Sequence, residues 1–205
     1  MSDLILRSTP CRRVGVLAGP AQAAEVARSR PTALVVASEF DDVCTLTQRA
    51  LHSEHCRIYT TDDLHGVELA GAMVKILAVA VGLVHGVDFG AGAKGVVVTR
   101  GVAETARLGA AIGAKPHTFS GLAGVGDLVS ATTSPDHPSF VAGVSLARGG
   151  TITSRIIEEC RALLRLAANA NVELPLTQSV LSIATRESTP KLAFDELMRR
   201  DPRRE

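Results

Sequence analysis

The chain has 205 residues, of which 46% are hydrophobic and 21% charged, and its formal net charge is +1. This composition is that of a folded soluble protein with enough chain for one large or two small cores. The near-neutral charge, the single Tyr and the absence of Trp argue against a nucleic-acid-binding surface, and the basic run at 199–204 is better explained as a solvated terminus than as a binding patch.

Cysteine usage and hydropathy predict the compartment. The four cysteines form no C-x-x-C pair, so we expect reduced thiols in a cytoplasmic protein without a metal site. The N-terminus has no basic segment followed by an apolar run, so no signal peptide is predicted. The longest uninterrupted apolar run, Ile76–Val84, is too short to cross a bilayer, and no membrane span is expected.

The first third of the chain alternates short apolar runs with helical patterns. Pro20 stands where a helix would begin, and Pro31 precedes a second apolar run. Strand, helix, strand, helix and strand at these spacings indicate a small α/β segment. The predicted strands cover 13–17, 32–37 and 57–59, and the predicted helices cover 3–8, 21–29 and 41–52.

The stretch Leu64–Gly101 is the most apolar part of the chain. Its first half is apolar on almost every side of a helix, which predicts the core helix of a domain, with Asp62 or Asp63 as its cap. The glycine-rich segment 87–95 is predicted to end that helix and to start another at Lys94. Two buried helices joined by such a turn suggest a domain built around a site.

Strand patterns are no longer recognisable after residue 64, and the patterns that follow are helical. Asn171 is a plausible helix stop, and Pro175 begins the next helix. We therefore predict an α/β segment over residues 1–62 and an all-helical domain over residues 63–205. The predicted helices cover 101–113, a turn after 116, 156–170, 175–186 and 190–200, with a loop at 134–138.

Several short motifs occur in a fixed order between residues 19 and 176. Together they resemble the bacterial NAD(P)-dependent glycerol-3-phosphate dehydrogenases, and an ordered set of motifs is far more specific than a single G-x-G. The motifs are Gly19-Pro20 with Ala23 and Glu25, Arg57-Ile-Tyr59, Gly66-Val67-Glu68, Thr99-Arg100-Gly101, the segment 119–128 (FSGLAGVGDL) and Val172-Glu-Leu-Pro175.

The resemblance implies an oxidoreductase that moves a hydride between NAD or NADP and glycerol 3-phosphate or dihydroxyacetone phosphate, in the supply of glycerophospholipid precursors. It implies a Rossmann-type dinucleotide-binding domain, of which residues 1–62 would be the C-terminal remnant. It also implies an all-helical substrate domain over 63–205, similar to the C-terminal domain of 6-phosphogluconate dehydrogenase. In the family a lysine acts as general acid and base at the carbinol oxygen, and polar residues hold the phosphate.

The position of the family's lysine is altered. Aligning Gly71-Ala72 with the family's G-A-L-K-N places Val74 at the lysine and Lys75 at the asparagine. One residue along a helix turns a side chain by about 100°, so Lys75 should point elsewhere. Lys75 is nevertheless the candidate catalytic residue, and the alternative is a lysine that extends from a buried helix to solvent.

The resemblance also gives candidate substrate ligands. It implies that Gly19 and Asp127 contact substrate, although Asp127 is equally suited to cap the helix that follows it. Counting without gaps from Asp127 places the family's S-R-N on His137, Pro138 and Ser139. Proline has no charge for a phosphate, so His137 and Ser139 are the remaining candidates, with an exposed loop histidine as the alternative for His137.

Cofactor contacts are expected to be weak. The resemblance implies Ala23 and Lys94 as candidate cofactor ligands, and Lys94 could instead anchor the start of its helix or pair with a carboxylate. No G-x-G-x-x-G follows a predicted strand, so the turn that binds a pyrophosphate is not recognisable. A truncated sequence or a start codon assigned too late explains that absence equally well.

Two hypotheses from different classes follow. The chain is a glycerol-3-phosphate dehydrogenase homologue that is not catalytically competent alone but is active when a cofactor half is supplied. The alternative is a non-catalytic pseudoenzyme that serves as a binding, scaffold or regulatory module. In either case the unpaired sheet edge of the α/β segment predicts a homo-oligomer or a partner chain that covers it.

Overall fold

The computed structural model describes residues 1–199. Its strands are β1 (Val16–Ala18), β2 (Thr32–Ala37) and β3 (Cys56–Thr61). Its helices are α1 (Ser2–Ser8), α2 (Ala23–Val26), α3 (Asp41–Leu51), α4 (Leu64–Gly86), α5 (Gly90–Ala111), α6 (Pro116–Ser120), a π-helical turn (Leu122–Gly126), α7 (Asp127–Thr133), α8 (Pro138–Ala147), α9 (Ser154–Asn169), α10 (Pro175–Ala184) and α11 (Pro190–Arg199).

The chain forms two compact units. The first consists of residues 1–74 and 109–133, and the second of residues 75–108 and the chain from residue 134 onward. Helices α4 and α5 each contribute one part to each unit. The predicted fold class, a small α/β remnant followed by a mostly helical region, is confirmed, whereas a domain boundary between residues 62 and 63 stays a prediction.

The sheet of the first unit has the order β1-β2-β3. Strand β1 is antiparallel to β2, and β2 is parallel to β3, with Val16 opposite Ala37 and Thr32 opposite Cys56. Helix α3 follows β2 and contributes to a small core on one face of the sheet. That core consists of Val36, Cys44, Cys56 and Ile58, with Leu34 packed against it.

Several predicted boundaries in this region are wrong. The strand predicted over 13–17 is confined to β1, because only Val16–Ala18 pairs with β2, and Leu17 is 44% exposed rather than buried. The helix predicted over 21–29 is only the short α2, and the backbone turns left-handed at Ser29, with φ of 54°. Strand β2 and helix α3 lie where the pattern placed them.

Asp63 connects two helix N-termini in the first unit. Its Oδ1 accepts a hydrogen bond from the backbone N–H of Gly66 at 3.0 Å, which confirms Asp63 as the cap of α4. Its Oδ2 accepts hydrogen bonds from the backbone N–H of Lys115 at 2.9 Å and from the hydroxyl of Thr118. The buried Asp63 carboxylate therefore fixes the start of α6 against the start of α4.

Helices α4 and α8 pack backbone to backbone in the second unit. A Cβ added at Gly82 would lie 2.2 Å from the carbonyl oxygen of Phe140, and one added at Gly143 would lie 2.1 Å from that of Val79. Only glycine permits such an approach at these positions. Helix α8 lacked a sequence prediction, although Pro138 at its first position is a recognised start signal.

Helix α4 is the predicted core helix. By length and composition alone it could cross a membrane, since a window of it has a mean hydropathy of 2.1, but 78% of that window is buried inside the protein. Such burial is the pattern of a core helix in a soluble protein. The length of the run Ile76–Val84 is weak support for the prediction of no membrane span, because the whole of α4 is long enough to span. The burial of α4 supports that prediction better.

Candidate functional site

Helix α4 separates the two residues at the family's lysine position. Val74 is buried, with 4% of its surface exposed, whereas the side chain of Lys75 is 45% exposed. The ammonium Nζ of Lys75 lies 3.5 Å from Oε1 of Glu159, and Nε of Arg155 lies 3.1 Å from the same oxygen. Lys75 therefore extends toward solvent, as the alternative interpretation predicted, and ends in an ion-pair cluster with α9.

The ion-pair cluster of Lys75, Arg155 and Glu159 is not among the features predicted from the sequence. The spacing of Arg155 and Glu159, four residues apart on a helical pattern, was a usable signal for their pairing. Nothing in the sequence indicated that Lys75, 84 residues before Glu159, would share the same carboxylate. A catalytic role for Lys75 stays a prediction.

The first unit brings the Gly19-Pro20 turn next to the segment that precedes Asp127. Gly19 has φ of 127°, a conformation that favours glycine, and a Cβ there would lie 3.2 Å from the carbonyl oxygen of Ala33. A Cβ on Gly126 would lie 3.8 Å from Cδ of Pro20, so the turn and the π-helical turn are neighbours. The amide of Gln22, which precedes α2, also lies 3.4 Å from the hydroxyl of Ser130 in α7.

Asp127 begins α7 in a continuous helical backbone. Its φ of −67° and ψ of −38° are helical, and the π-helical turn runs directly into it. An N-cap has non-helical dihedral angles, so the alternative role of Asp127 as the cap of the following helix is wrong. Its role as a substrate ligand stays a prediction, as does that of Gly19.

Glycines make the π-helical turn possible. A Cβ on Gly124 would lie 2.0 Å from the carbonyl oxygen of Phe119, and one on Gly109 would lie 2.1 Å from the Phe119 ring. The motif FSGLAGVGD thus has a packing explanation in addition to the one implied by the resemblance. Ala23, the first residue of α2, is exposed and carries only a methyl group, so any cofactor contact there would be through its backbone.

The N-terminus of α8 carries the residues that align with the family's S-R-N. His137 is the N-cap residue, Pro138 occupies the first position of the helix, and Ser139 is buried. His137 is partly exposed, and its Nδ1 is buried with no hydrogen-bond partner among the described residues, which does not favour the alternative of a fully exposed loop histidine. Burial lowers the pKa of His137, because it penalises the charged imidazolium.

Lys94 lies in the first turns of α5 and contacts the end of α4. Its Nζ lies 2.8 Å from Nδ1 of His85, a ring nitrogen and not a carboxylate oxygen. This contact supports the alternative in which Lys94 anchors the start of its helix. The chain does spell G-x-G-x-x-G at 90–95, but this segment begins α5 after a helix, so it lacks the strand that a dinucleotide-binding fingerprint requires.

The candidate residues thus divide between the units. Gly19, Ala23 and Asp127 lie in the first unit, and Lys75, Lys94, His137 and Ser139 lie in the second. Within the part of the chain that the structure describes, no group of three or more His, Cys, Asp or Glu side chains could hold a metal ion.

Comparison with protein families gives two matches along the chain. The model of the C-terminal part of NAD-dependent glycerol-3-phosphate dehydrogenase matches residues 63–195. The model of the N-terminal part of the same enzymes matches residues 1–44.

Individual relatives agree with the family matches. A glycerol-3-phosphate dehydrogenase [NAD(P)+] of Streptomyces griseus is 40% identical, over 100% of this chain and 64% of the relative. One of Methylibium petroleiphilum is 40% identical, over 96% of this chain and 62% of the relative. The chain therefore spans a little under two thirds of the length of these relatives.

Solved structures show the same architecture. The crystal structure of glycerol-3-phosphate dehydrogenase from Coxiella burnetii superposes with a TM-score of 0.91 at 31% identity, covering 97% of this chain and 64% of that one. The Plasmodium falciparum enzyme superposes with a TM-score of 0.84 at 16% identity, covering 99% and 61%, and at that identity it bears on the fold alone.

Proposed function

Because the chain belongs to the NAD-dependent glycerol-3-phosphate dehydrogenase family, we propose that it is a non-catalytic member, a pseudoenzyme that keeps the substrate-domain fold and serves as a binding or scaffold module. The family reaction interconverts glycerol 3-phosphate and dihydroxyacetone phosphate with NAD or NADP. On this proposal the chain alone does not perform it. The observation that carries the proposal is the buried Val74 beside an ion-paired Lys75.

Proton transfer is the first step that these residues do not support. The carbinol oxygen must lose a proton as the hydride leaves carbon, and a side chain with a titratable group must accept that proton. Val74 has no such group. Lys75 lies about 100° further round the helix, and its ammonium is held beside the carboxylate of Glu159.

Phosphate binding is the second step that these residues do not support. A phosphate dianion is bound best by fixed cationic donors, above all by the planar guanidinium of arginine. Pro138 stands at the family's arginine position and has neither a charge nor an N–H. The depressed pKa of His137 keeps its imidazole mostly neutral at pH 7, so His137 does not replace the missing positive charge.

The described residues also do not fit a nicotinamide dinucleotide. A pyrophosphate is bound by a glycine-rich turn between a strand and a helix, whereas the glycine-rich segment 90–95 follows a helix. Lys94 is hydrogen-bonded to His85 rather than free to reach a phosphate. On this proposal, residues 1–199 do not bind NAD or NADP on their own.

The sheet supports the scaffold part of the proposal. Strands β1 and β3 are the outer strands of the three-stranded sheet, and Leu17 and Tyr59 on them are 44% and 51% exposed. Unpaired N–H and C=O groups on such edges pair readily with another chain. We propose that a second copy or a partner chain covers this sheet, in the cytoplasm, where the cysteines stay reduced.

Steady-state kinetics with the purified protein test the proposal. We expect no oxidation of NADH or NADPH that depends on dihydroxyacetone phosphate, while the Coxiella burnetii enzyme under the same conditions supplies the positive control. Turnover by the wild-type chain that disappears in Lys75→Ala would overturn the pseudoenzyme assignment and establish Lys75 as the acid and base. Sedimentation velocity tests the scaffold part, where a concentration-independent monomer is the contrary result.

A further inference from the structure

Helix α3 of the first unit carries an apolar residue on its outer face. Leu46 is 70% exposed, and among the large hydrophobic residues of the range 1–199 only Met1 is more exposed. The inner face of the same helix is covered, because Cys44 belongs to the core on the sheet. At about 100° per residue, Leu46 lies about 200° round the helix from Cys44. Leu46 therefore points away from that core.

A second exposed apolar residue lies beside α3, on strand β1. Leu17 is opposite Val36 in the antiparallel ladder, so both side chains are on the face of the sheet that carries α3. Val36 is buried in the core, whereas Leu17 is 44% exposed. A Cβ added at Gly15, just before β1, would lie 2.9 Å from Cγ1 of Val43, so α3 runs close to β1. Leu17 thus adds to the uncovered apolar surface beside the helix.

The charges on the outer face of α3 favour a second copy of the same helix as its partner. Asp42 stands four residues before Leu46 and Arg49 three residues after it, so the three share one face, and all are exposed. The face is acidic at its N-terminal end, apolar in the middle and basic at its C-terminal end. A surface with this order is complementary to itself when two copies pack antiparallel about a twofold axis.

The ion pair that Asp42 already forms is compatible with such a contact. Arg13 pairs with the Asp42 carboxylate in each copy, and both side chains are exposed. A carboxylate has two oxygens and accepts more than one guanidinium group. Asp41, also exposed, keeps this end of the helix negative in spite of Arg13. The partner's Arg49 therefore meets a net negative charge.

We propose that α3 is the contact through which two copies of this chain associate, antiparallel about Leu46. In this dimer the two Leu46 side chains meet, Leu17 of each copy lies beside the partner's helix, and Asp42 of each copy pairs with the partner's Arg49. This proposal rests on the scaffold part of the proposed function and names the partner as a second copy.

The size of the contact predicts its strength. An α-helix rises about 1.5 Å per residue and is about 10 Å wide, so the 11 residues of α3 offer a strip about 16 Å long. That strip is small beside the roughly 800 Å² per partner of a standard protein–protein interface. We therefore expect a dimer that forms at high protein concentration and dissociates on dilution.

Charge reversal tests the antiparallel arrangement. Asp42→Arg and Arg49→Asp each place like charges opposite one another twice in a homodimer, so each variant alone should dimerise about tenfold more weakly than wild type. A mixture of the two variants should form a heterodimer, because both contacts then join an Arg to an Asp. Sedimentation velocity over a wide concentration range measures this, with circular dichroism to confirm that each variant is folded.

The apolar centre of the contact has its own test. Leu46→Asp should weaken dimerisation by about tenfold or more, because it removes the central apolar contact and places two carboxylates together. Leu192→Asp is the matched control, since Leu192 is also a well-exposed leucine on a helix but lies in the other unit. It should leave the dimerisation constant unchanged.

The outcomes separate this proposal from the proposed function. Self-association of wild type that persists unchanged in Leu46→Asp and in both charge variants would overturn the α3 contact and leave the scaffold part standing. A wild-type chain that is monomeric at every concentration would also overturn it. Turnover of dihydroxyacetone phosphate by a wild-type chain that dimerises through α3 would overturn the pseudoenzyme assignment alone.

Discussion

The carboxylate oxygen Oε1 of Glu159 lies 3.5 Å from the ammonium of Lys75 and joins α9 to α4 at the position next to the family's catalytic lysine. Arg155 shares this oxygen, so one carboxylate is placed between two cations. A lysine in this arrangement is an ion-pair partner, and the residue beside it, Val74, is part of the core.

Removing the carboxylate that pairs with Lys75 should not give the chain catalytic activity. In Glu159→Gln the ammonium loses its partner, and because the pair is partly exposed we expect a stability change within about 1 kcal/mol. No turnover of dihydroxyacetone phosphate should appear, since Val74 still occupies the lysine position. Steady-state assays check this, with Glu158→Gln as the matched control, because Glu158 forms a comparable pair with Arg161 on the same helix. Activity gained only in Glu159→Gln would mean that Lys75 is competent once released.

Loss of the α4 cap, Asp63, should lower the free energy of unfolding far more than loss of the neighbouring Asp62. Asp63→Ala removes hydrogen bonds to Gly66, Lys115 and Thr118 and leaves buried donors without partners. We expect a loss of about 2–4 kcal/mol in the free energy of unfolding, measured by urea denaturation. Asp62→Ala removes an exposed ion pair with Lys115, which solvent screens, and should change the free energy of unfolding far less than Asp63→Ala. Similar values for the two variants would contradict the role given to Asp63.

A methyl group at the α4–α8 contact should be poorly tolerated. Gly143→Ala places a Cβ 2.1 Å from the Val79 carbonyl oxygen, and the backbone must move. The expected cost is about 1–3 kcal/mol. Gly95→Ala is the matched control, because no atom of residues 1–199 lies within 4 Å of a Cβ there, and it should stabilise α5 by up to about 1 kcal/mol.

Thiol labelling should distinguish one cysteine from the other three. Cys11 is exposed, whereas Cys44, Cys56 and Cys160 are buried and all four are free. Burial raises the pKa of Cys44 and raises that of Cys160 to about 12, so neither presents a thiolate at neutral pH. A disulfide-exchange reagent should therefore label Cys11 alone in the native protein and every cysteine in denaturant. Rapid labelling of Cys160 in the native protein would contradict the burial of this side chain.

Glu68 should contribute to acid sensitivity. Burial alone would raise its pKa, but hydrogen bonds from the N–H and hydroxyl of Ser2 and the N-terminal ammonium outweigh that effect and lower it. A carboxyl with a depressed folded-state pKa stabilises the fold above its unfolded value of 4.5 and loses that contribution as pH falls through the folded value. Urea titrations across this window should show a shallower acid limb for Glu68→Gln than for Glu39→Gln, a change at an exposed position.

Local patterns predicted much of the fold. The all-round apolar character of α4, its Asp63 cap and strand β2 follow from neighbouring residues, so they could be predicted from sequence. The short extent of β1 depends on where β2 ends its pairing, and that is a long-range property. The π-helical turn depends on Gly124 approaching the Phe119 carbonyl, a contact that no hydrophobic period indicates.

The candidate site was predictable as a set of positions and not as an arrangement. Alignment placed Val74, Lys75 and Pro138 at the altered positions without any structure. The partner of Lys75 lies 84 residues away, and the burial of His137 Nδ1 depends on tertiary packing. Neither could be predicted from local residues.

The contact between α4 and α8 is made by main-chain atoms, whereas any chemistry at this place depends on side chains. Gly82 and Gly143 meet through main-chain atoms, so this part of the contact between α4 and α8 does not involve the side chains at 137–139. Mutations can therefore remove or return charged groups at that helix end while the packing of the two helices is inherited unchanged. A lineage with this contact can lose an activity by side-chain substitution alone, and the same platform remains available for a new ligand.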